Sequence, residues 1–142
     1  MTNTITIPDE TRDELVKLAT EMREKAYAPY SKFLVGAAIL GMDDKIYTGC
    51  NVENQSYGLT ICAERTAAVK MVSFGCKEIK AVAVSTDIGT SPCGACRQFL
   101  CEFLPQNSNF NIYLSNSKNG QLLTTTMNGL LPQAVDLSFL KN

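Results

Sequence analysis

Two short stretches, Cys62-Ala63-Glu64 and Pro92-Cys93-Gly94-Ala95-Cys96, decide how this chain is interpreted. Each stretch opens a run of residues whose apolar positions predict a helix, so the cysteines lie at two helix starts. In a reducing compartment a Cys-x-x-Cys pair is more often a metal-binding or catalytic motif than a disulfide. The positive end of a helix also lowers the pKa of a thiol and favours the thiolate that zinc needs. The sequence therefore predicts a metal site at Cys62, Cys93 and Cys96.

The number of ligands distinguishes a catalytic metal site from a structural one. Three protein ligands leave one tetrahedral position open, whereas a structural zinc module normally has four. The chain contains no histidine, and no fourth cysteine lies at a matching spacing. Glu64 is then the candidate acid/base group, because it lies beside Cys62 without being a ligand. We expect Cys50, Cys76 and Cys101 to be ordinary buried thiols.

Charge balance points to a role for two arginines. Three thiolates and one Zn²⁺ sum to a charge of −1, which would make a coordinated water less acidic. Arg65 follows Glu64 and Arg97 follows Cys96. We expect at least Arg65 to donate a hydrogen bond to a ligand sulfur. The alternative is that these arginines face solvent, and it carries more weight for Arg97.

Composition limits the partners that the chain is expected to have. With 142 residues, of which 45% are hydrophobic, residues 1–142 are predicted to form a single domain with its own core. The formal net charge of −1 gives no reason to expect binding to nucleic acid or to an anionic membrane. The longest apolar run, residues 34–42, is too short to cross a bilayer. The N-terminus lacks the features of a secretory signal, so we expect a soluble cytoplasmic protein.

The order of apolar patterns predicts the fold class. Helical or strand patterns occupy, in order, residues 9–27 (helix), 33–40 and 45–52 (a strand hairpin), 62–74 (helix), 78–84 (strand), 93–104 (helix), 110–114 and 121–125 (strands) and 127–132 (a short helix or turn). The helix at 62–74 carries so little polar surface that we expect it to be buried on most sides. This succession predicts an α/β protein with a mixed sheet and helices on its faces.

The two cysteine stretches resemble the zinc deaminase signature in its three-cysteine form. The likeness extends to residues 26–33, 48–54, 61–67, 91–98 and 130–132. On these motifs the chain is similar to the small homotetrameric cytidine deaminases of the cytidine/deoxycytidylate deaminase superfamily, from about residue 10 to 135. The resemblance implies a three-layer α/β/α fold with a five-stranded mixed sheet, one Zn²⁺ per subunit, and a homotetramer with sites at subunit interfaces. It also implies hydrolytic deamination of cytidine and 2′-deoxycytidine in pyrimidine salvage.

The resemblance further implies roles for individual residues. Phe33 would pack on the pyrimidine ring, and Asn51 and Glu53 would hydrogen-bond the ribose hydroxyls. Glu64 and the backbone of Ala63 would contact the edge of the base. Tyr57 and the backbone near Gln55 would reach a neighbouring subunit's ribose. Support of the metal ligands would come from Arg65, Arg97 and Gln98. Glu64 would take a proton from the attacking water and deliver protons to N3 and to the departing amine.

Two departures and two alternatives accompany this resemblance. Leu34 stands where the family often has Pro, with little expected effect. Val135 stands where the family often has a Phe that lines the substrate pocket, and Phe139 is a possible substitute.

The nearest alternative is a deaminase of another cytosine nucleoside such as blasticidin S, although Asn51-Val52-Glu53-Asn54 favours a plain ribose or deoxyribose. A polynucleotide-editing enzyme is less supported, because neither charge nor aromatic clusters provide a strand groove.

Overall fold

A five-stranded mixed sheet lies at the centre of the computed structural model, which describes residues 3–141. The strands are β1 (Asn3–Thr4), β2 (Gly36–Gly41), β3 (Ile46–Cys50), β4 (Ile79–Thr86), β5 (Ser108–Asn109), β6 (Asn111–Asn116) and β7 (Leu122–Thr126). The α-helices are α1 (Asp9–Met22), α2 (Ala63–Ser73), α3 (Gly94–Cys101) and α4 (Met127–Leu130), and 3-10 turns occupy Arg23–Lys25, Tyr57–Leu59 and Ser138–Leu140. The sheet order is β3-β2-β4-β6-β7, with β4 and β6 parallel and the other pairs antiparallel. β1 and β5 form a separate parallel pair.

Helices cover both faces of the sheet, which confirms the predicted three-layer α/β/α architecture. Successive side chains of a strand point to opposite faces. On β2, Ala38 and Leu40 therefore join a cluster with Leu15 of α1. Ala37 and Ile39 join the larger cluster on the other face, which includes residues of α2 and α3. A strand covered on both faces is apolar throughout, as β2 is.

The first helix is shorter than its sequence pattern predicts. It ends at Met22, and the turn Arg23–Lys25 leads into extended backbone at Ala26. The backbone N–H of Tyr27 donates to the carbonyl of Asn51 at 2.9 Å, and its carbonyl accepts from Glu53 at 2.8 Å. This pairing requires extended backbone, so the helix cannot continue to residue 27.

The strand predicted from residue 33 begins only at Gly36. The preceding residues are held by a side chain instead of by the sheet. Asn51 donates from Nδ2 to the carbonyl of Phe33 at 2.8 Å and accepts at Oδ1 from the N–H of Val35 at 3.0 Å. Phe33 therefore lies in an irregular segment at the entrance to β2, and not in a core strand.

Two expectations about burial are corrected by the structure. α2 buries one face, but Val69 is 50% exposed and Phe74 just beyond its end is 73% exposed, because only the inner side meets the sheet. Cys76 is buried as expected, whereas Cys50 and Cys101 are partly exposed. Cys50 ends an edge strand and Cys101 ends a helix, so neither is fully covered.

Gly49 fixes how closely α2 approaches the sheet. A Cβ placed on Gly49 would lie 2.5 Å from the backbone N of Ala67 and 2.6 Å from the backbone O of Ala63. Real Cβ atoms do not approach so closely, so only glycine permits this contact. The absent side chain therefore sets the position of the first turn of α2, which carries Glu64.

None of the helices within residues 3–141 combines the length and the apolar character that a membrane span requires.

Candidate active site

The fold brings the three predicted metal ligands together from two helix starts. Cys62 is the N-cap residue of α2, Cys93 is the N-cap residue of α3, and Cys96 lies in the first turn of α3. Their Sγ atoms all lie within 4.8 Å of one another, and those of Cys62 and Cys93 are 3.9 Å apart. Tetrahedral zinc with Zn–S bonds of about 2.3 Å separates its sulfurs by about 3.8 Å. The donor set and its spacing therefore fit a zinc ion with three cysteine ligands.

Hydrogen bonding among the cysteines changes their pKa values. A hydrogen bond from Cys96, reinforced by Arg65, lowers the pKa of Cys62 to about 5. The same bond, together with burial, raises the pKa of Cys96. Both helices also direct their positive ends at this point. The arrangement favours a thiolate within the cluster, and metal binding would release the protons that remain on the cysteines.

Arg65 supplies positive charge beside this cluster. Its Nη2 donates to Cys62 Sγ at 3.5 Å and to the carbonyl of Thr60 at 3.1 Å. The thiolate in turn raises the pKa of Arg65. Within residues 3–141, Nε of Arg65 is the one buried side-chain nitrogen or oxygen without a hydrogen-bond partner. The guanidinium is therefore directed at the sulfurs despite the cost of an unpaired donor.

Arg97 contacts the backbone around the ligands and not a sulfur. It donates to the carbonyl of Pro92 at 2.8 Å, to Ser91 Oγ at 2.9 Å and to the carbonyl of Leu130 at 3.0 Å. It consequently ties the turn before Cys93 to the last residue of α4, and does not face solvent. The side chain of Gln98 is exposed and makes no hydrogen bond within the described chain. Its position, two residues beyond Cys96 on a helix, directs it away from the cluster.

Glu64 lies beside the cysteines although residues two apart on a helix do not share a face. The rule does not apply to Cys62, because its backbone is extended, with φ −72° and ψ 155°, and it precedes the first helical residue. The Glu64 side chain is buried, and burial, with a contribution from the Cys62 charge, raises its pKa to about 7. A carboxyl group with such a pKa can both accept and donate a proton near neutrality, as general acid/base catalysis requires.

A cavity of about 290 Å³ opens onto this cluster. Of the residues that the sequence assigns to the site, its lining includes Phe33, Asn51, Glu53, Cys62, Ala63, Glu64 and Cys93. Cys96 is buried behind them. The lining also contains the hydroxyl residues Ser31, Thr60, Thr86, Thr90 and Ser91, which sequence reasoning missed. A single Ser or Thr forms no spaced motif from which its place in a site could be predicted. Ser31 and Ser91 do, however, lie within the motifs that support the resemblance.

Four residues that the resemblance brings into question lie outside this cavity: Tyr57 and Gln55, assigned to a neighbouring subunit's ribose, and Val135 and Phe139, whose part in the pocket the sequence left open. Tyr57 is 73% exposed and lines a neighbouring depression of about 240 Å³, which also includes Tyr30 and Glu53. Gln55 is exposed. Val135 and Phe139 are exposed as well, at 65% and 68%. Within a single chain, none of the four contributes to the wall of the cavity.

Glu53 accepts three hydrogen bonds from the segment that precedes Phe33. The donors are the N–H of Tyr30 at 2.9 Å, the N–H of Ser31 at 3.2 Å, and the hydroxyl of Ser31. The bond from the Ser31 hydroxyl is the main cause that lowers the pKa of Glu53. The carboxylate is thus held ionised at the mouth of the cavity.

Three converging cysteine sulfurs, which would leave one position of a tetrahedral zinc ion open, and a buried carboxyl group beside them are the groups that a zinc-dependent hydrolytic enzyme requires. The chain belongs to the family described as the cytidine and deoxycytidylate deaminase zinc-binding region, whose model matches residues 9–111.

Comparisons with individual proteins agree with this assignment. A cytidine deaminase of Sporosarcina psychrophila is 49% identical over 132 residues, which cover 89% of this chain and 95% of that protein. The crystal structure of cytidine deaminase from Burkholderia pseudomallei superposes with a TM-score of 0.80 at 42% identity, covering 87% of this chain and 98% of the other. A blasticidin-S deaminase of Bacillus cereus is 30% identical over 129 residues, covering 84% of this chain and 88% of that protein.

Proposed function

We propose that this protein is a single-domain enzyme that hydrolyses cytidine and 2′-deoxycytidine to uridine and 2′-deoxyuridine with release of ammonia. The observation that carries the proposal is the buried carboxyl of Glu64 beside three converging cysteine sulfurs, at the wall of a cavity of about 290 Å³. The similarity to cytidine deaminases over most of the chain supports the same reaction.

The composition of the cavity favours a nucleoside over a nucleotide. Its lining holds two carboxyl groups, Glu53 and Glu64, and the described residues contribute neither Lys nor Arg to it. A phosphate group would therefore meet negative charge without a compensating cation. Phe33 offers a ring for the pyrimidine, while Asn51 and Glu53 offer polar groups for the sugar hydroxyls.

The chemistry follows from the position of Glu64. Cys62, Cys93 and Cys96 would hold one zinc ion per subunit, which when bound supplies a Lewis acid that makes an attacking water acidic near neutral pH. Glu64 takes a proton from the water that adds to C4 and delivers a proton to N3. It then takes the proton of the new C4 hydroxyl and passes it to the amino group, the C4–N bond breaks, and ammonia leaves as the C4 carbonyl forms. One water is consumed and one ammonia is released.

Arg65 keeps this site electrically balanced in our proposal. Its guanidinium offsets the extra negative charge of a third thiolate by donating to Cys62. Arg97 acts more indirectly, because it holds Pro92 and Ser91 and thereby fixes the turn that presents Cys93.

We further propose a homotetramer with its sites at subunit interfaces. Large apolar side chains are exposed on the single chain, including Tyr57, Val69 and Phe74, and such surfaces commonly mark contacts between proteins. Tyr57 and the backbone near Gln55 would reach a neighbouring subunit's sugar. We place the enzyme in pyrimidine salvage in the cytoplasm, where a reducing environment keeps its six free cysteines available.

The test is ammonia release by the zinc-loaded protein from four substrates in parallel: cytidine, 2′-deoxycytidine, cytidine monophosphate and blasticidin S. We expect turnover of both nucleosides, and a kcat/KM at least about 100-fold lower for the monophosphate. Preferential turnover of blasticidin S would favour the second candidate, for which the 30% identical Bacillus cereus relative is the supporting observation. No release from either nucleoside by the zinc-replete protein would refute the proposal.

A further inference from the structure

The segment from Tyr30 to Phe33 has an unfavourable backbone conformation that its neighbours must hold. Lys32 has φ 61°, in the left-handed region that residues with a Cβ rarely occupy. Such a conformation persists only where the surrounding structure imposes it. The N–H of Lys32 donates to the carbonyl of Ala28 at 3.0 Å. This turn allows the next N–H, that of Phe33, to point back toward Ser31.

The single hydroxyl group of Ser31 both donates and accepts a hydrogen bond. Its Oγ accepts a hydrogen bond from the N–H of Phe33 at 3.0 Å, and its O–H donates to Oε2 of Glu53. Oε1 of Glu53 accepts at the same time from the N–H groups of Tyr30 and Ser31. A single chain of hydrogen bonds therefore runs from the Glu53 carboxylate to the backbone of Phe33.

Asn51 holds the other side of the same segment independently. Its amide donates to the carbonyl of Phe33 and accepts from the N–H of Val35, and among residues 3–141 no hydrogen bond joins it to Ser31. The N–H of Phe33 is thus held through Ser31, while the N–H of Val35 is held through Asn51. This division supplies an internal control for the contribution of Ser31.

We propose that Ser31 is a positioning residue that couples the sugar-binding carboxylate of Glu53 to the base-packing ring of Phe33. The inference rests on the proposed function, which supplies the roles of those two residues. Because one hydroxyl serves both partners, its loss loosens both ends of the nucleoside site together. The zinc ligands and Glu64 lie on α2 and α3 and are not part of this chain of bonds.

The kinetic test compares Ser31→Ala and Ser31→Thr with the wild-type holoenzyme. Loss of a hydrogen bond to a charged group predicts a KM for cytidine raised by about ten-fold or more, with kcat within about three-fold of wild type. Ser31→Thr keeps the hydroxyl at an exposed position and restores the KM. Ser73→Ala is the matched control, because that exposed hydroxyl bonds only the carbonyl of Lys70 at the far end of α2. An unchanged KM, or a Ser31→Thr variant as impaired as Ser31→Ala, would overturn the proposal.

A double-variant cycle tests the coupling itself. If Ser31 acts through Glu53, Ser31→Ala raises the KM less in a Glu53→Ala background than in wild type. Full additivity of the two effects would instead make the residues independent and contradict the proposal.

Residue-resolved amide hydrogen exchange tests the positioning without any substrate. We expect the amide of Phe33 to exchange at least about ten-fold faster in Ser31→Ala, while the amide of Val35 is unchanged. Equal exchange at Phe33 in wild type and variant would refute the role of Ser31. This measurement stays decisive if cytidine proves not to be a substrate, since that result would refute the proposed function alone.

Discussion

Gly49→Ala places a methyl group where the first turn of α2 crosses β3. The added Cβ would lie 2.5 Å and 2.6 Å from two backbone atoms of the helix, which cannot move away as a flexible side chain can. Restoring ordinary contact at 3.4 Å requires α2 to withdraw by about 0.9 Å. Overpacking of this kind costs about 1–3 kcal/mol. For a chain of 142 residues this corresponds to a fall in Tm of about 3–10 °C.

The same displacement carries Glu64 away from the reacting atoms. A misplacement of about 1 Å lowers turnover by up to about 100-fold, so kcat should fall about 10- to 100-fold. Tm is measured by calorimetry and kcat by ammonia release, at matched protein and zinc concentrations. Gly58→Ala is the control, because a Cβ there meets no atom within 4 Å. Wild-type Tm together with wild-type kcat in Gly49→Ala would show that Gly49 does not set the distance between α2 and the sheet.

Two further predictions concern charge and pH. Arg65→Gln should weaken zinc binding about 10- to 100-fold, because it removes the cation that donates to Cys62; competition with a chelator measures this, and unchanged affinity would contradict it. Tyr47→Phe should lower Tm at neutral pH, because Tyr47 donates to Asp43 at 2.6 Å and lowers the pKa of that carboxyl. A carboxyl group whose pKa is lowered by folding stabilises the folded state at pH values above its pKa in the unfolded chain, about 3.9. That stabilisation is lost as the pH falls through the lower pKa of the folded state. The Tm difference between wild type and variant should therefore shrink below about pH 4, and a difference that is constant down to pH 2 would count against this explanation.

The sequence predicted those features that depend on local pattern. Both cysteine-bearing helix starts were predicted, because Pro92 and the apolar periodicity that follows each cysteine are local signals. The order of helical and strand patterns along the chain also sufficed to predict a mixed sheet with helices on its faces. The placement of Cys62 at an N-cap then explains why Glu64 lies beside it.

Features that depend on distant side chains could not be predicted. Phe33 to Val35 are apolar and resemble a strand, but the amide of Asn51 takes up their backbone groups. For Arg97 the sequence left open whether it supports the ligands or faces solvent, and in the structure one of its partners is the carbonyl of Leu130, far along the chain. The spacing of apolar residues along the sequence does not indicate which distant group will form a hydrogen bond with a given backbone N–H or carbonyl.

The exposed face of α2 illustrates a different limit of sequence reasoning. The apolar pattern around Val69 and Phe74 predicts a helix buried on most sides, which is wrong for this face. Only the inner side of α2 meets the sheet, and the rest of the same chain leaves both side chains exposed.

The central claim is tested most directly by the kcat of Glu64→Ala for cytidine, with the zinc content determined in the same preparation. We expect one zinc per subunit, as in wild type, and a kcat reduced by at least about 10²- to 10⁴-fold, because the acid/base group is lost while the three cysteine ligands remain. A zinc-replete Glu64→Ala protein that releases ammonia at the wild-type rate would show that Glu64 is not the acid/base group.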